Sequence, residues 1–249
     1  MIDAILNHRS VRNYKNDPVS QSVLQEILIA GTRASTTGNM QVYSIVITRE
    51  TVIKKQLWEV HFKQNMVLQA PLVLTFCADF NRFIIWCLQR KADPGYDNFL
   101  SFITAATDAL LAAQNCAVAA ESKGLGICYL GTTTYNADKI IDILELPRFV
   151  VPVTTLVMGY PADNPELTDR LPLEAVVHSE KYRNYTSDDI DRLYLDKESS
   201  GLTSSLIELN SLETLAQIFT DKRYTRKDNE YFSQKYLDVI RKQGFLGER

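Results

Sequence analysis

His8-Arg9-Ser10-Val11-Arg12 puts two guanidiniums, an imidazole and a hydroxyl into one short stretch near the start of the chain. Arg stays charged at any working pH and presents a planar fork of N–H donors. Such a set suits a phosphate and the electron-rich edge of a ring. If the stretch continues the helix expected before it, Arg9 and Arg12 lie three apart and share a face. A plainer reading stands beside this one: a basic helix end complements the macrodipole and binds nothing. Residues further along must decide.

The bulk numbers narrow the ligand. The net charge is -3 and the pI about 5.7, which argues against non-specific nucleic-acid binding. A local basic patch on such a chain fits a small anion better than a polyanion. The cysteines (Cys77, Cys87, Cys116 and Cys128) form no CxxC pair, and His8, His61 and His178 lie far apart. Zinc-ligand spacing is therefore missing and no metal is expected. Free thiols point to a reducing cytoplasm. The start of the chain carries an early acid, Asp3, and too few apolar residues for a secretory segment. The longest apolar stretch, about 99–120, holds Thr104, Thr107, Asp108, Gln114 and Asn115, so a buried helix is expected there and no membrane span.

The 249 residues allow one large domain or two small ones with a sizeable core. Residues 2–8 read as a short helix. Residues 19–34 read as a longer one, with Val23, Leu24, Ile27 and Leu28 as its apolar stripe and Ser20 as its cap. A β-branched strand is expected over 42–48 and a helix over 50–60. The apolar run 71–78 predicts a strand buried on both faces. Residues 79–97, aromatic and polar around Pro94-Gly95, read as an irregular excursion. A helix apolar nearly all round follows over 99–123, ended by Gly124 and Gly126. Then come a strand at 127–130, a helix at 136–144 capped by Asn136, and a strand at 150–158. Residues 162–180 lack periodicity, and the tail from 187 is helical and more charged. This order is an α+β layout. With no GxGxxG after the first strand, a dinucleotide-binding Rossmann domain is not expected.

Several segments, in this order and spacing, resemble the nitroreductase family of FMN-dependent NAD(P)H oxidoreductases. They are His8-Arg9-Ser10-Val11-Arg12, Cys77-Ala78-Asp79-Phe80-Asn81-Arg82, Asp108, Gln114-Asn115, and Ala119-Ala120-Glu121-Ser122-Lys123-Gly124-Leu125-Gly126. Gly159-Tyr160-Pro161-Ala162-Asp163-Asn164-Pro165 and Arg170-Leu171-Pro172 close the series. The likeness is strongest to the larger group that contains the major oxygen-insensitive nitroreductase and flavin reductase P, and it covers about the first 185 residues. It implies an α+β sandwich around a mixed, mainly antiparallel sheet, in an intertwined homodimer with FMN at the shared interface. It also implies a division into an FMN-binding core, 1–185, and a helical extension, 186–249, packing on the core or on the partner subunit.

The resemblance assigns roles residue by residue. His8, Arg9 and Ser10 take the phosphate and ribityl end of FMN. Arg12 reaches N1 and O2 of the flavin, where a fixed positive charge stabilises the reduced ring; otherwise it is a surface ion pair. Thr36, Thr37 and Asn39 sit in a hydroxyl-rich loop that contacts FMN from the other subunit, or in an ordinary turn. Gln64 hydrogen-bonds the ring, but Phe62-Lys63 stand where close relatives carry two glycines, so the local backbone is expected to differ. Tyr129, Leu130 and Gly131 form a strand end lying against the ring near N5, with Gly131 permitting close approach. Thr168 and Arg170 hold the phosphate, Thr168 replacing a Lys and so removing one charge.

No side chain is assigned a catalytic role: NAD(P)H reduces the flavin, leaves, and a small-molecule acceptor takes the electrons by ping-pong chemistry at one shared site. The expected acceptors are nitroaromatics, quinones or flavins. The alternative is a flavin-binding protein that donates electrons to a partner protein. The arginine-rich loop that grips NADPH in close relatives is replaced by Asp196-Lys197-Glu198-Ser199-Ser200-Gly201, while Lys222-Arg223-Tyr224-Thr225-Arg226-Lys227 is a later basic cluster. The choice between NADH and NADPH stays open.

Overall fold

The computed structural model describes residues 2–247. The chain forms two compact units. One holds the described residues up to Glu166 together with those from Phe232 on, and the other is Leu167–Tyr231. The division thus differs from the expected break at 185: it falls earlier, and the end of the chain returns to the first unit. The charged tail conceals why. Val239, Ile240 and Phe245 are buried in a cluster with Phe80, Phe102 and Val151, so the last helix is amphipathic and its apolar side completes a core.

The first unit contains α1 (Ile2–Leu6), α2 (Gln21–Thr32), α3 (Thr51–Val60), α4 (Met66–Gln69), α5 (Asn81–Gln89), α6 (Phe99–Ser122) and α7 (Ala137–Ile143). Its strands are β1 (Tyr43–Thr48), β2 (Leu72–Asp79), β3 (Gly126–Leu130) and β4 (Val150–Gly159). They form one sheet in the order β1-β2-β4-β3, each neighbour antiparallel, and an isolated parallel bridge joins Ser10 to Ile127. β2 is buried at every position, as its unbroken apolar run requires.

Alternation sorts the side chains into two layers. Leu72, Leu74, Phe76, Leu156 and Ile127 meet Leu24 and Ile27 of α2 and Ala109 and Ala113 of α6. Val73, Val157, Cys128 and Leu130 meet Leu57 of α3, Val67 of α4 and Ile140 of α7 on the other face. A Cβ on Gly31 would lie 2.3 Å from Cys116 Sγ, so glycine is what lets α2 and α6 pack this closely. α6 ends in a Schellman turn: Leu125 N–H donates to Ala120 O, Gly124 N–H to Glu121 O, and Gly124 has φ +79°. α6 is long and apolar enough to cross a membrane by length and composition alone. Its sheet side, Ala105, Asp108, Ala109, Ala112 and Ala113, is buried in the protein, as expected of a core helix.

Two expectations are corrected. Residues 79–97 are not irregular throughout, because α5 occupies the first half. Its Ile85, Trp86 and Leu88 are exposed while Phe83 and Ile84 pack inward, so the apolar residues mark no single face. Asn136 occupies the N-cap position of α7 but does not cap it: its Nδ2 donates to Val60 O at 2.7 Å, and its Oδ1 accepts from Lys235 at 3.0 Å.

The second unit contains α8 (Ser187–Glu198), α9 (Gly201–Asn210), α10 (Leu215–Gln217) and the start of α11 (Arg226–Lys242), whose later residues belong to the first unit. Thr186 and Asp189 form a capping box at the head of α8.

Candidate functional site

The basic stretch does not continue α1, which stops at Leu6. Val11 N–H donates to Ile127 O at 2.9 Å and Lys15 N–H to Tyr160 O at 2.9 Å, while Tyr14 bridges Pro161. The reason is the unpaired edge of β3, which offers the backbone partners a free helix end lacks. Gly126 makes the approach possible, since a Cβ there would lie 2.6 Å from Val11 Cγ2. Arg9 and Arg12 therefore share no helical face.

Four predicted residues gather at this start of β3. His8 Nδ1 lies 2.6 Å from Glu121 Oε1. Arg9 donates to Asn164 Oδ1, and its Nε is buried with no partner among the described residues. Ser10 makes the bridge to β3. Arg12 is exposed, and among the described residues its one hydrogen bond is a 3.5 Å contact to Ser10 O. Burial pushes the Tyr14 hydroxyl and Cys128 thiol up in pKa, and the nearby Arg12 guanidinium opposes both shifts. Asn13 donates to Asp163 at 2.5 Å and Ala162 N–H to Asn13 O at 3.0 Å, which ties the stretch to the chain after β4.

A second set lies at the far end of β3. Tyr129 donates its hydroxyl to Gln114 Oε1 at 3.3 Å, and burial raises its pKa. Leu130 is buried, whereas a Cβ added to Gly131 would meet only open space. Gln64 Nε2 donates to Thr132 Oγ1 at 3.2 Å and to His61 O at 3.0 Å. Phe62 and Lys63 have φ of 54° and 56°. Both hold the left-handed conformation that glycines favour, at a cost in strain. Phe62 packs edge-on to Tyr135 and Phe232, and Lys63 N–H donates to Trp58 O at 2.9 Å.

The third set, Thr36, Thr37 and Asn39, is anchored on α6. Buried Asp108 accepts from Thr37 N–H at 3.0 Å and from Val42 N–H at 3.3 Å. Asp108 is a positioning residue that sequence reasoning noted without a role; an acid inside an apolar helix was the available signal. His61 was missed in the same way. It is fully buried, its Nδ1 lies 2.8 Å from Thr132 Oγ1, and desolvation lowers its pKa to about 4.

Thr168 and Arg170 belong to the second unit, and both are exposed. Arg170 donates to Thr168 Oγ1 at 2.7 Å and to Asp169 O at 2.9 Å. Lys197 lies 2.6 Å from Asp169 Oδ2, and that hydrogen bond holds the Asp169 carboxyl below its usual range.

A sheet covered on both faces, with a cation-bearing segment along its edge, defines an α+β sandwich. A model of the nitroreductase family matches residues 5–160, and the chain belongs to that family. It is 33% identical over 256 residues to an FMN reductase [NAD(P)H] of Bacillus subtilis (strain 168), covering 100% of this chain and 99% of the relative. It is 31% identical to an oxygen-insensitive NADPH nitroreductase of Salmonella typhimurium, covering 98% and 97% of the two chains. A solved structure from Bacteroides fragilis NCTC 9343 matches with a TM-score of 0.97 and 51% identity, over 98% of this chain and 100% of that one.

Proposed function

We propose that this member of the nitroreductase family is an FMN-dependent NAD(P)H oxidoreductase. It reduces nitroaromatics, quinones or flavins two electrons at a time, as a homodimer, in the cytoplasm. The observation that carries the reading is the end-to-end likeness to an FMN reductase that uses NAD(P)H.

The chain's own residues fit FMN. A phosphate of about two negative charges calls for charge-assisted donors. Arg9 offers a buried Nε with no partner, and Arg12 an exposed guanidinium with one long contact. His8 and Ser10 stand beside them, and Thr168 and Arg170, exposed in the second unit, offer donors of the same kind. The open space at Gly131 suits a flat ring, which Tyr129, Leu130 and Gln64 would border. When bound, FMN supplies the two-electron redox chemistry. The protein binds and orients it, and Arg12 places a fixed positive charge that favours the reduced cofactor. No side chain is needed as nucleophile or obligatory acid–base.

The second copy has a seat. Leu100, Ile103, Leu110 and Leu111 are exposed on one side of α6, interrupted by Thr107, and exposed apolar residues on one side of a helix favour a contact. Asp108 anchors the Thr36–Asn39 loop to this same helix, from which Thr36, Thr37 and Asn39 would reach the partner's FMN.

The purified protein should be yellow, and NADH or NADPH added without oxygen should bleach the flavin band. An acceptor panel then identifies the oxidant. A flavin that stays oxidised with both nicotinamides, or a colourless protein that ignores added FMN, overturns the reading.

A further inference from the structure

We propose that His61 and Thr132 form a fixed donor pair: the neutral imidazole donates Nδ1–H to Thr132 Oγ1, freeing the Thr132 hydroxyl hydrogen to bond the polar edge of the flavin ring. The proposal rests on the FMN reading above and makes Thr132 a further cofactor-binding residue, with His61 as its positioning residue.

The geometry carries it. Thr132 Oγ1 lies 2.8 Å from His61 Nδ1 and 3.2 Å from Gln64 Nε2. The Nε2 of Gln64 can only donate, and its second hydrogen bond, to His61 O, fixes which end of the amide faces Thr132; a hydroxyl oxygen has lone pairs for two donors. His61 Nε2 is buried with no partner among the described residues. If Nδ1 accepted from Thr132 instead, the imidazole would bury an unpaired N–H, and orphaned N–H groups are rarer than unpaired acceptors. The tautomer that leaves only a lone pair unpaired has Nδ1–H directed at Thr132. Thr132 Oγ1 then accepts twice and has its own hydrogen to give. Thr132 is half-buried and follows Gly131, where an added Cβ would meet nothing.

The local backbone agrees. His61 and Gln64 are separated by Phe62 and Lys63, both left-handed. Two strained residues in succession bring the Gln64 amide back to His61 O at 3.0 Å and to Thr132. Strain of this kind gathers where geometry serves a site. Burial also keeps the imidazole neutral, since its pKa falls to about 4. A neutral ring in a fixed tautomer is what a one-directional donor requires.

The test uses the full chain loaded with FMN. Nitrogen-15 NMR of the histidines should show His61 as the Nδ1–H tautomer. Thr132→Val, which keeps the shape and removes the hydroxyl, should shift the bound flavin's redox equilibrium about tenfold toward the oxidised form, with a change in its absorption band. Thr132→Ser should stay near wild type. His61→Asn, whose amide can replace the Nδ1–H, should retain the wild-type equilibrium, and His61→Leu should move it as Thr132→Val does. An Nε2–H tautomer, or a Thr132→Val protein with wild-type potential and spectrum, overturns the proposal and leaves the FMN reading intact. Wild-type protein that takes up no FMN overturns both.

Discussion

The two ends of β3 solve opposite problems. At Gly126 the strand edge receives a chain segment rich in exposed or half-buried cations, and a glycine is needed because Val11 fills the space. At Gly131 the strand runs out into open space, and the polar groups behind it are neutral, buried (His61) or half-buried (Gln64, Thr132), and hydrogen-bonded to each other. A guanidinium can give a phosphate only those N–H groups that its own protein has not already taken up. A ring edge is read by fixed neutral donors, which are strongest out of water. The difference teaches that one strand can be closed by its own chain at one end and open at the other, as the proposed reading requires of a site for both the phosphate and the ring.

The sharpest way to break that comparison is to make the same change at both glycines. Gly126→Ala sets a Cβ 2.6–2.9 Å from three atoms of Val11. Overpacking of this kind costs about 1–3 kcal/mol and should also displace residues 8–12, so that FMN is lost on gel filtration. Adding Val11→Ala should recover most of the stability. Gly131→Ala meets nothing within 4 Å and should leave thermal stability within about 0.5 kcal/mol of wild type while weakening FMN binding. Equal stability losses at the two positions would remove the distinction between a closed and an open end.

Charge is the next test. Arg12→Gln keeps some hydrogen-bonding capacity and removes the cation. A charge-assisted hydrogen bond contributes about 1.5–3 kcal/mol, so FMN affinity should fall about tenfold to a hundredfold, and its dependence on salt should flatten. Fluorescence titration at two ionic strengths measures both. An unchanged affinity would place Arg12 outside the site.

At the buried end, pH is the probe. An unfolded His titrates near 6.5, while folded His61 titrates at about 4. Between those values the unfolded chain binds more protons, so stability rises with pH. The contribution is complete above pH 6.5 and is lost as pH falls toward 4, reaching about 2 kcal/mol at pH 5. Urea unfolding at pH 7 and pH 5 should show the loss, and His61→Asn should shrink it. A wild-type curve no steeper than that of the variant would refute a buried neutral imidazole.

How much of this was legible beforehand follows the same divide. The unbroken run of β2 announced burial on both faces, and Ser20 announced the start of α2, whose Val23 N–H it accepts. The cations of residues 8–12 stood out in the sequence. Their conformation did not, because it depends on the free edge of β3, more than a hundred residues away in sequence. α5 was hidden by apolar residues on its exposed side, and the return of α11 to the first core by its many charges. His61 and Asp108 look ordinary as letters. Their roles come from burial and from partners such as Thr132 and Thr37, which only the tertiary structure brings near.

Lys63 sharpens the contrast at the open end. A non-glycine residue in the left-handed region costs about 1–2 kcal/mol. Lys63→Gly should relieve that strain and forfeit a 3.6 Å exposed ion pair with Glu59, which contributes little. The net result should be a stabilisation of up to about 1 kcal/mol in thermal unfolding, with FMN bound as before. A destabilised Lys63→Gly would show that the Lys63 side chain supports this turn.

The smallest effect is expected at Thr168, where the family resemblance places a lysine. In the structure Thr168 accepts from Arg170, and Lys197 already stands 2.6 Å from the intervening Asp169. Thr168→Lys therefore adds a cation but removes a hydrogen bond that holds Arg170, and it enters a neighbourhood with a lysine close by. Both facts limit the gain, and an exposed charge is screened within about 8–10 Å at ordinary salt. FMN affinity should rise about threefold at low ionic strength and return to the wild-type value at high salt. Unchanged affinity at both would mean that residue 168 does not sense the phosphate, and the cation requirement would then rest on the closed end of β3 alone.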